Sequence, residues 1–296
     1  MGNIADSIKS GRILISDGAW GTFLHQKGLL PGECPELWCV EKPGEVLSIA
    51  QSYIDAGADM IKTNSFGGSV FKLSRYGLAG RAAEINEAAA RISRQAAGDG
   101  RWVLASIGPT GKMLVMEDVT EQELYEAFAT QAVAFEKGGA DAALIETMSD
   151  IDEAVQAIRA VKENTRLEII CTFTFERTVR GEYRTMMGAD PVSAARAVAD
   201  AGADIVGANC GNGMEGMIEI AREIRGADQN VPILIHANAG LPCHVDGKDV
   251  YPETPEVIAS FVPGLIDAGV SIIGGCCGTT PAHIRAMKGA LLRLRK

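Results

Sequence analysis

Three cysteines follow apolar, strand-like runs of this 296-residue chain and could together hold a soft metal ion. Cys276 and Cys277 directly follow residues 272–275, and Cys210 follows residues 205–209. Thiolates select zinc or cuprous copper over magnesium or calcium. Three thiolates leave one position of a tetrahedral zinc ion open, as in catalytic rather than structural sites. The sequence therefore predicts a zinc site where a substrate thiol binds as its thiolate and attacks an electrophilic methyl group.

Adjacent cysteines could instead fill the core, because free cysteine is among the most buried residue types. Gly274, Gly275 and Gly278 favour the metal interpretation, since they are expected to clear space around the sulfur atoms. The candidate catalytic and zinc-binding residues are therefore Cys210, Cys276 and Cys277. The other cysteines are interpreted as loop or packing residues (Cys34 and Cys39), a core residue (Cys171) and an exposed loop residue (Cys243).

Polar residues follow several other predicted strands and could bind a substrate beside the metal. Asp17 and Glu146 could bind an amino group together, although Asp17 could equally accept backbone N–H bonds within its own turn. The N–H groups of Gly18 and Ala19 could hold a carboxylate. The predicted substrate-binding residues are Asp17, Gly18, Ala19, Ser106, Glu146, Thr147 and Asn209.

Lys62 offers a competing chemistry, because a lysine at a strand end can form a Schiff base with a carbonyl substrate. Strand residues alternate between the two faces, and no second lysine adjoins Lys62 to lower its pKa. We therefore disfavour this alternative.

A recurring group of small residues predicts the fold. It occupies residues 56–59, 138–141, 201–204 and, loosely, 268–271, each time between a helical stretch and an apolar strand. Eight strands alternate with eight helices, which favours a (β/α)8 TIM barrel. A doubly wound open sheet is less favoured, because no G-x-G-x-x-G follows the first strand. The prediction is one domain over residues 1–296, with strands at 12–17, 60–64, 102–107, 142–146, 167–174, 205–209, 233–238 and 272–275 and a seventh helix at 255–267.

Composition limits the partners. The net charge of −10 argues against binding nucleic acid or an anionic membrane. We find no secretory signal and no apolar run of about 18 residues, which a membrane span requires. Seven unevenly spaced cysteines suit a reducing compartment, so we expect a cytoplasmic protein.

The chain resembles the homocysteine S-methyltransferase family, and within it the homocysteine-binding barrel of cobalamin-dependent methionine synthase. The resemblance runs nearly end to end through the motifs at residues 17–22, 63–67, 106–111, 146–147, 209–210, 238–240 and 274–281. It implies that Cys210, Cys276 and Cys277 bind zinc, that zinc binds the homocysteine sulfur, and that Asp17 and Glu146 lie near the homocysteine amino group.

The resemblance also leaves the methyl donor open. No second barrel or corrinoid-binding segment follows the eighth helix in this sequence. The donor is therefore expected to be a methyl-corrinoid on a separate protein, which we favour slightly, or a small molecule such as S-methylmethionine or a betaine. The acceptor could also be a thiol other than homocysteine, in a corrinoid-dependent demethylation system.

Overall fold

A computed structural model describes residues 2–245 and 248–294, and its central element is a sheet of eight parallel strands. We number the strands in chain order. They are β1 (Leu14–Ile15), β2 (Met60–Lys62), β3 (Trp102–Ile107), β4 (Ala142–Met148), β5 (Glu168–Phe173), β6 (Ile205–Asn209), β7 (Ile233–Ala237) and β8 (Ile272–Gly275).

The strands follow one another around a ring. Each of β2 to β8 pairs in parallel with the next, and β8 pairs with β1. The remaining gap is bridged by Asp59, whose N–H donates to the Ile15 carbonyl at 2.7 Å, just before β2 begins. This arrangement confirms the predicted (β/α)8 barrel. That residues 1–296 make a single domain stays a prediction.

Helices cover the outside of the ring and also close its amino end. Ile4–Lys9 lies there, with the N–H groups of Ile4 and Ala5 donating to the Glu168 carboxylate at 2.5 and 2.8 Å. The helices between and after the strands are Gly21–Gln26, Trp38–Glu41, Pro43–Asp55, Val70–Ser74, Ala82–Ala97, Glu121–Gly138, Ile151–Asn164, Pro191–Ala201, Met214–Ala227, Pro255–Ser260, Val262–Asp267 and Pro281–Leu294, with 3-10 turns at Ala79–Arg81, Gly98–Gly100 and Leu114–Met116.

Two predicted elements differ most from the structure, while several other strands differ from it by one or two residues at their ends. The single helix at 255–267 is wrong, because Phe261 separates two short helices. Pro263 lies in the first turn of the second helix and has no N–H to continue the hydrogen bonds of the first. The first strand is shorter than predicted, although Ser16 N still donates to the Ile273 carbonyl and Gly275 N to the Asp17 carbonyl.

The alternation of strand residues divides the barrel interior into an apolar floor and a polar upper layer. Met60, Leu104 and Leu144 pack with the N-terminal helix in one buried cluster at the amino end. Lys62 and Glu146 come two residues after Met60 and Leu144, so they point to the same interior at the opposite end. No helix within residues 2–245 and 248–294 has the length and apolar character needed to cross a bilayer.

Candidate metal and substrate site

The three predicted metal ligands meet at the carboxyl edge of the barrel. Cys210 follows β6, Cys276 and Cys277 follow β8, and β7 is the one strand between them. The Sγ atoms of Cys210 and Cys277 are 3.9 Å apart, and the three sulfur atoms lie within 4.8 Å of one another. Zn–S bonds of about 2.3 Å in a tetrahedron place two thiolates about 3.8 Å apart. The thiols therefore fit a zinc ion, and theirs is the one such cluster among the described residues.

The thiols also perturb one another electrostatically. Hydrogen bonds from Cys210 and Cys276 lower the pKa of Cys277, and the hydrogen bond of Cys277 with the Tyr251 hydroxyl acts in the same direction. The pKa of Cys276 is raised, because its thiol hydrogen-bonds to Cys210 and Cys277. The cluster therefore favours a thiolate among the three cysteines, which is the ionisation state that a metal ligand requires.

Backbone contacts hold the ligands in place. The N–H of Cys277 donates to Asn238 Oδ1 at 3.1 Å, and that of Cys276 donates to the Ala237 carbonyl at 2.7 Å. Cys210 has a φ of 59°, in the left-handed region that non-glycine residues rarely adopt. Such strain persists only where the surroundings over-determine the conformation, and it is common at functional sites.

The glycines of the β8 motif have a different role from the one predicted. A Cβ on Gly274 would lie 2.6 Å from His236 Cδ2, and one on Gly275 would lie 2.2 Å from Thr279 Oγ1. At Gly278, where φ is +79°, it would lie 2.2 Å from Tyr251 Cγ. These glycines therefore make room for neighbouring side chains and not, as expected, for the sulfur atoms.

Asn209 connects the end of β4 to Cys210, one of the three candidate metal ligands. Its Oδ1 accepts the N–H of Thr147 at 2.8 Å and the hydroxyl of Thr172 at 2.7 Å, and its Nδ2 donates to Thr147 Oγ1 at 2.7 Å. Thr147 has a φ of 62°, which is costly for a β-branched residue. The Asn209 side chain thus forms hydrogen bonds with one residue of positive φ, Thr147. Asn209 also directly precedes a second such residue, Cys210.

A cavity of about 430 Å³ opens beside the three cysteines, within the size range of small-molecule sites. Of the residues predicted to bind substrate, Ala19, Ser106, Glu146 and Thr147 line it, whereas Asp17, Gly18 and Asn209 do not. The full lining is Ala19, Trp20, Gly21, Thr22, Leu24, Pro35, Glu36, Lys62, Thr63, Asn64, Ser65, Phe66, Ser106, Glu146, Thr147, Cys210, Cys276 and Cys277.

The geometry at Asp17 differs from the expected direct contact with a substrate. Asp17 is fully buried, and its Oδ2 accepts the indole N–H of Trp20 at 2.8 Å and the backbone N–H of Lys62 at 2.9 Å. The backbone N–H of Ala19, expected to be free, donates to Thr279 Oγ1 at 3.1 Å. Gly18 is packed so closely that a Cβ would lie 2.7 Å from the same hydroxyl oxygen. Asp17 and Gly18 therefore support the cavity wall from behind, whereas Ala19 forms part of it.

Lys62 is the site residue whose role the sequence did not indicate. Its Nζ lies 3.9 Å from Asp17 Oδ1 and 4.0 Å from Glu146 Oε2, and its side chain is 6% exposed. Burial by itself lowers the pKa of a lysine, but the Glu146 and Asp17 carboxylates raise the pKa of Lys62 above its usual value. Since a Schiff-base lysine must lose its proton, this environment opposes the aldolase-like alternative.

Glu146 completes this polar group. Burial raises the pKa of Glu146, while the Lys62 ammonium and a hydrogen bond from the Ser106 hydroxyl oppose that rise. Only the adjacency of β1, β2, β3 and β4 brings these side chains together, so no local sequence pattern contained the signal.

Comparison with known proteins decides the family. The model of the homocysteine S-methyltransferase family matches residues 14–291. The chain belongs to this family. Methionine synthase of Mycobacterium tuberculosis is 31% identical over 307 residues, and that of Mycobacterium leprae is 31% identical over 300 residues. These alignments cover 98% and 95% of the chain but 25% and 24% of the relatives, so the chain spans about a quarter of their length.

A solved structure of the family shows the same fold. The metallated form of the homocysteine methyltransferase MmuM from Escherichia coli superposes with a TM-score of 0.77, at 22% sequence identity, over 96% of this chain and 98% of that protein. The family membership and the barrel predicted from the sequence are therefore confirmed.

Proposed function

We propose that this homocysteine S-methyltransferase family member is a zinc-dependent enzyme that transfers a methyl group to homocysteine and yields methionine. The observation that carries the proposal is the cluster of three cysteine sulfur atoms, within 4.8 Å of one another, beside a cavity at the carboxyl edge of the barrel. When bound, zinc would supply a positive charge that favours the ionised form of the substrate thiol.

The protein's own residues would hold the substrate and shape its surroundings. We propose that Cys210, Cys276 and Cys277 bind the metal, while Ala19, Ser106, Glu146 and Thr147 contact the rest of the thiol substrate from the cavity wall. Asp17, Gly18 and Asn209 would act from behind that wall as positioning residues. In the reaction the substrate sulfur forms a bond to the methyl carbon, the bond from that carbon to the donor breaks, and the thiol proton leaves to solvent.

Exposed apolar side chains support a methyl donor carried by a separate corrinoid protein. Several large hydrophobic residues are exposed on segments that follow barrel strands, at the end where the cavity opens; Met186 is 79% exposed. Contiguous exposed apolar patches mark protein interaction sites, and we propose that these side chains form one. The exposed apolar residues in question are Phe66, Val115, Met116, Val179, Met186, Met187 and Leu241.

A second candidate function is favoured by the position of Lys62. An ammonium group already lies between Asp17 and Glu146, the two acids expected near the homocysteine amino group. The protein would then be a zinc methyltransferase component of a corrinoid-dependent demethylation system that uses a different thiol or donor. For either function we propose a cytoplasmic location, in keeping with the seven free cysteines.

A donor screen tests these proposals. Zinc-loaded protein would be incubated with homocysteine and a methylated corrinoid protein, S-methylmethionine or betaine, and methionine measured by mass spectrometry. We expect methionine with the corrinoid protein. Methionine from S-methylmethionine or betaine alone would contradict the corrinoid proposal, and none from any donor would contradict homocysteine as the acceptor.

A matched pair of variants tests the docking surface. Met186→Glu should raise the KM for the methylated corrinoid protein without changing the reaction with free methylcobalamin, because it places a charge in the apolar surface. Val133→Glu alters an exposed apolar residue on an outer helix, away from the cavity, and should change neither reaction. Equal effects of the two substitutions would contradict docking on the strand-end loops.

A further inference from the structure

Tyr251 packs against the cysteine motif that follows β8, although it lies between β7 and the helix Pro255–Ser260. Its side chain is partly buried against the main hydrophobic core. A Cβ on Gly278 would lie 2.2 Å from Tyr251 Cγ and 2.3 Å from its Cβ, so the ring occupies space that only a glycine leaves open. The glycine directly after the two cysteines therefore admits this aromatic side chain.

The ring brings its hydroxyl to a candidate metal ligand. The Tyr251 hydroxyl is hydrogen-bonded to the sulfur of Cys277, which lies 3.9 Å from the sulfur of Cys210. A thiolate has no hydrogen to donate, so the phenol must be the donor once Cys277 is ionised. Such hydrogen bonds to an anion are stronger than those between neutral groups. Because Tyr251 does not line the cavity, its route to a substrate is through Cys277.

Two contacts fix the segment that carries Tyr251. The N–H of Glu253 donates to the Ala239 carbonyl at 3.0 Å, and the Glu253 carbonyl lies 2.9 Å from His283 Nε2. The Thr280 N–H donates to His283 Nδ1 at 3.1 Å, so the ring hydrogen is on Nε2 and is directed to Glu253. A histidine of the last helix therefore fastens the chain two residues after Tyr251, and holds the phenol against the cysteine motif.

Charge gives this hydrogen bond a function in the proposed metal site. The two positive charges of a zinc ion do not balance three thiolates, and a substrate thiolate at the open position adds a further negative charge. Negative charge in a partly buried site is costly unless cations or hydrogen-bond donors offset it. Lys62 provides a positive charge that acts on Cys277, and Tyr251 provides the donor that contacts its sulfur.

We propose that Tyr251 is a positioning residue of the methyltransferase site, whose hydroxyl donates to the metal-bound sulfur of Cys277 and so allows the metal to accept the substrate as a further thiolate. This inference rests on the proposed zinc-dependent function and deepens it. It extends the site beyond the three cysteines to a residue that offsets their charge, and no motif in the sequence indicated that residue.

Cobalt(II) in place of zinc makes the metal–sulfur bonds observable, because thiolate-to-cobalt charge transfer absorbs in the near ultraviolet. Tyr251→Phe keeps the ring that packs on Gly278 and removes only the hydroxyl. Loss of a hydrogen bond raises the energy of the sulfur lone pairs, so we expect the charge-transfer band of this variant to move to longer wavelength. If the ring served packing alone, the band would stay in place.

Two affinities measure the size of the effect. Competition with a chromophoric chelator should show that Tyr251→Phe binds zinc about tenfold more weakly than the wild type, as expected when a group that contacts a ligand is lost. Calorimetric titration of the zinc-saturated proteins with homocysteine should show a similar loss of about tenfold. Tyr125→Phe removes a hydroxyl that donates to Glu163 at 2.8 Å on an outer helix, and should match the wild type in all three measurements.

The outcomes separate this inference from the proposed function. If the wild type shows no thiolate-to-cobalt band or binds no homocysteine, the proposed function is wrong and the inference fails with it. If the wild type shows both, but Tyr251→Phe retains its band, its zinc affinity or its homocysteine affinity, the function stands and the role of Tyr251 is wrong. All three changes in Tyr251→Phe, with none in Tyr125→Phe, would support both.

Discussion

Asn209 and Thr147 are joined by two hydrogen bonds that connect the end of β6 to the end of β4. The Thr147 N–H donates to Asn209 Oδ1 at 2.8 Å, and Asn209 Nδ2 donates to Thr147 Oγ1 at 2.7 Å. Thr147 and Cys210 both have positive φ angles, so this single amide lies between two strained backbone positions. Its position explains how a residue outside the cavity wall can influence both the wall and Cys210, a candidate metal ligand.

Asn209→Ala should therefore lower both stability and metal affinity. Removing a buried group that leaves its partners unsatisfied costs about 1–3 kcal/mol, and the Thr147 N–H and the Thr172 hydroxyl would both lose an acceptor. Denaturant unfolding and zinc competition titration would measure the two effects. Asn164→Ala alters an amide at the end of an outer helix and should leave zinc affinity unchanged. Wild-type zinc affinity in Asn209→Ala would show that Cys210 needs no such support.

Cys210→Ala and Cys276→Ala should each abolish tight zinc binding while the barrel still folds. Loss of a ligand should weaken zinc affinity more than the about 10–100-fold that loss of a supporting contact causes. Competition with a chromophoric chelator gives the affinity, and circular dichroism verifies the fold. Cys243→Ala removes an exposed cysteine outside the cluster and should retain one zinc ion per chain. Stoichiometric zinc in both ligand variants would refute the site.

Gly207→Ala and Gly289→Ala should have opposite effects on stability. A Cβ on Gly207 would lie 1.8 Å from the Leu234 carbonyl oxygen of the adjacent strand β7. We therefore expect a loss of at least about 3 kcal/mol in the free energy of unfolding, or failure to fold. Gly289 lies in the last helix, where the nearest atom to a new Cβ would be 3.6 Å away. Alanine there should stabilise by up to about 1 kcal/mol. A neutral Gly207→Ala would contradict the close pairing of β6 with β7.

Glu168→Gln should change how stability depends on pH. Burial raises the pKa of Glu168 above 4.5, although the Ile4 and Ala5 N–H groups oppose the rise. The folded state therefore holds this proton more tightly than the unfolded state, and stability falls as pH rises from 4.5 through the folded pKa. The wild type should exceed Glu168→Gln in stability by more at pH 4.5 than at about pH 7 in urea unfolding.

Asp118→Asn provides a control of opposite sign. The backbone N–H of Met113 lowers the pKa of Asp118, so its contribution is present above the unfolded value of 3.8 and is lost as pH falls through the folded value. The advantage of the wild type over this variant should therefore grow as pH rises. The same direction of change in both variants would contradict the assignment at Glu168.

Much of the site was accessible from local patterns in the sequence. Cysteines directly after apolar runs indicated thiols at strand ends, and the alternation of strands and helices predicted the barrel that brings them together. The rule that all carboxyl ends of a parallel barrel share one edge was sufficient to join Cys210 to Cys276 and Cys277 across 66 and 67 residues of chain. These features depend on residue type and on periodicity, both of which a sequence displays directly.

The surroundings of each of these groups could not be predicted without the three-dimensional structure. Asp17 lies behind the cavity wall, and the Lys62 ammonium lies about 4 Å from two carboxylates. The glycines near Cys276 leave space for the side chains of Thr279, His236 and Tyr251. Such contacts come from strands distant in sequence, and their energies depend on burial and on separations of a few ångströms. Residue types and periodicity were therefore sufficient to predict the fold and the thiol cluster, whereas packing sets which charged groups lie beside the cavity.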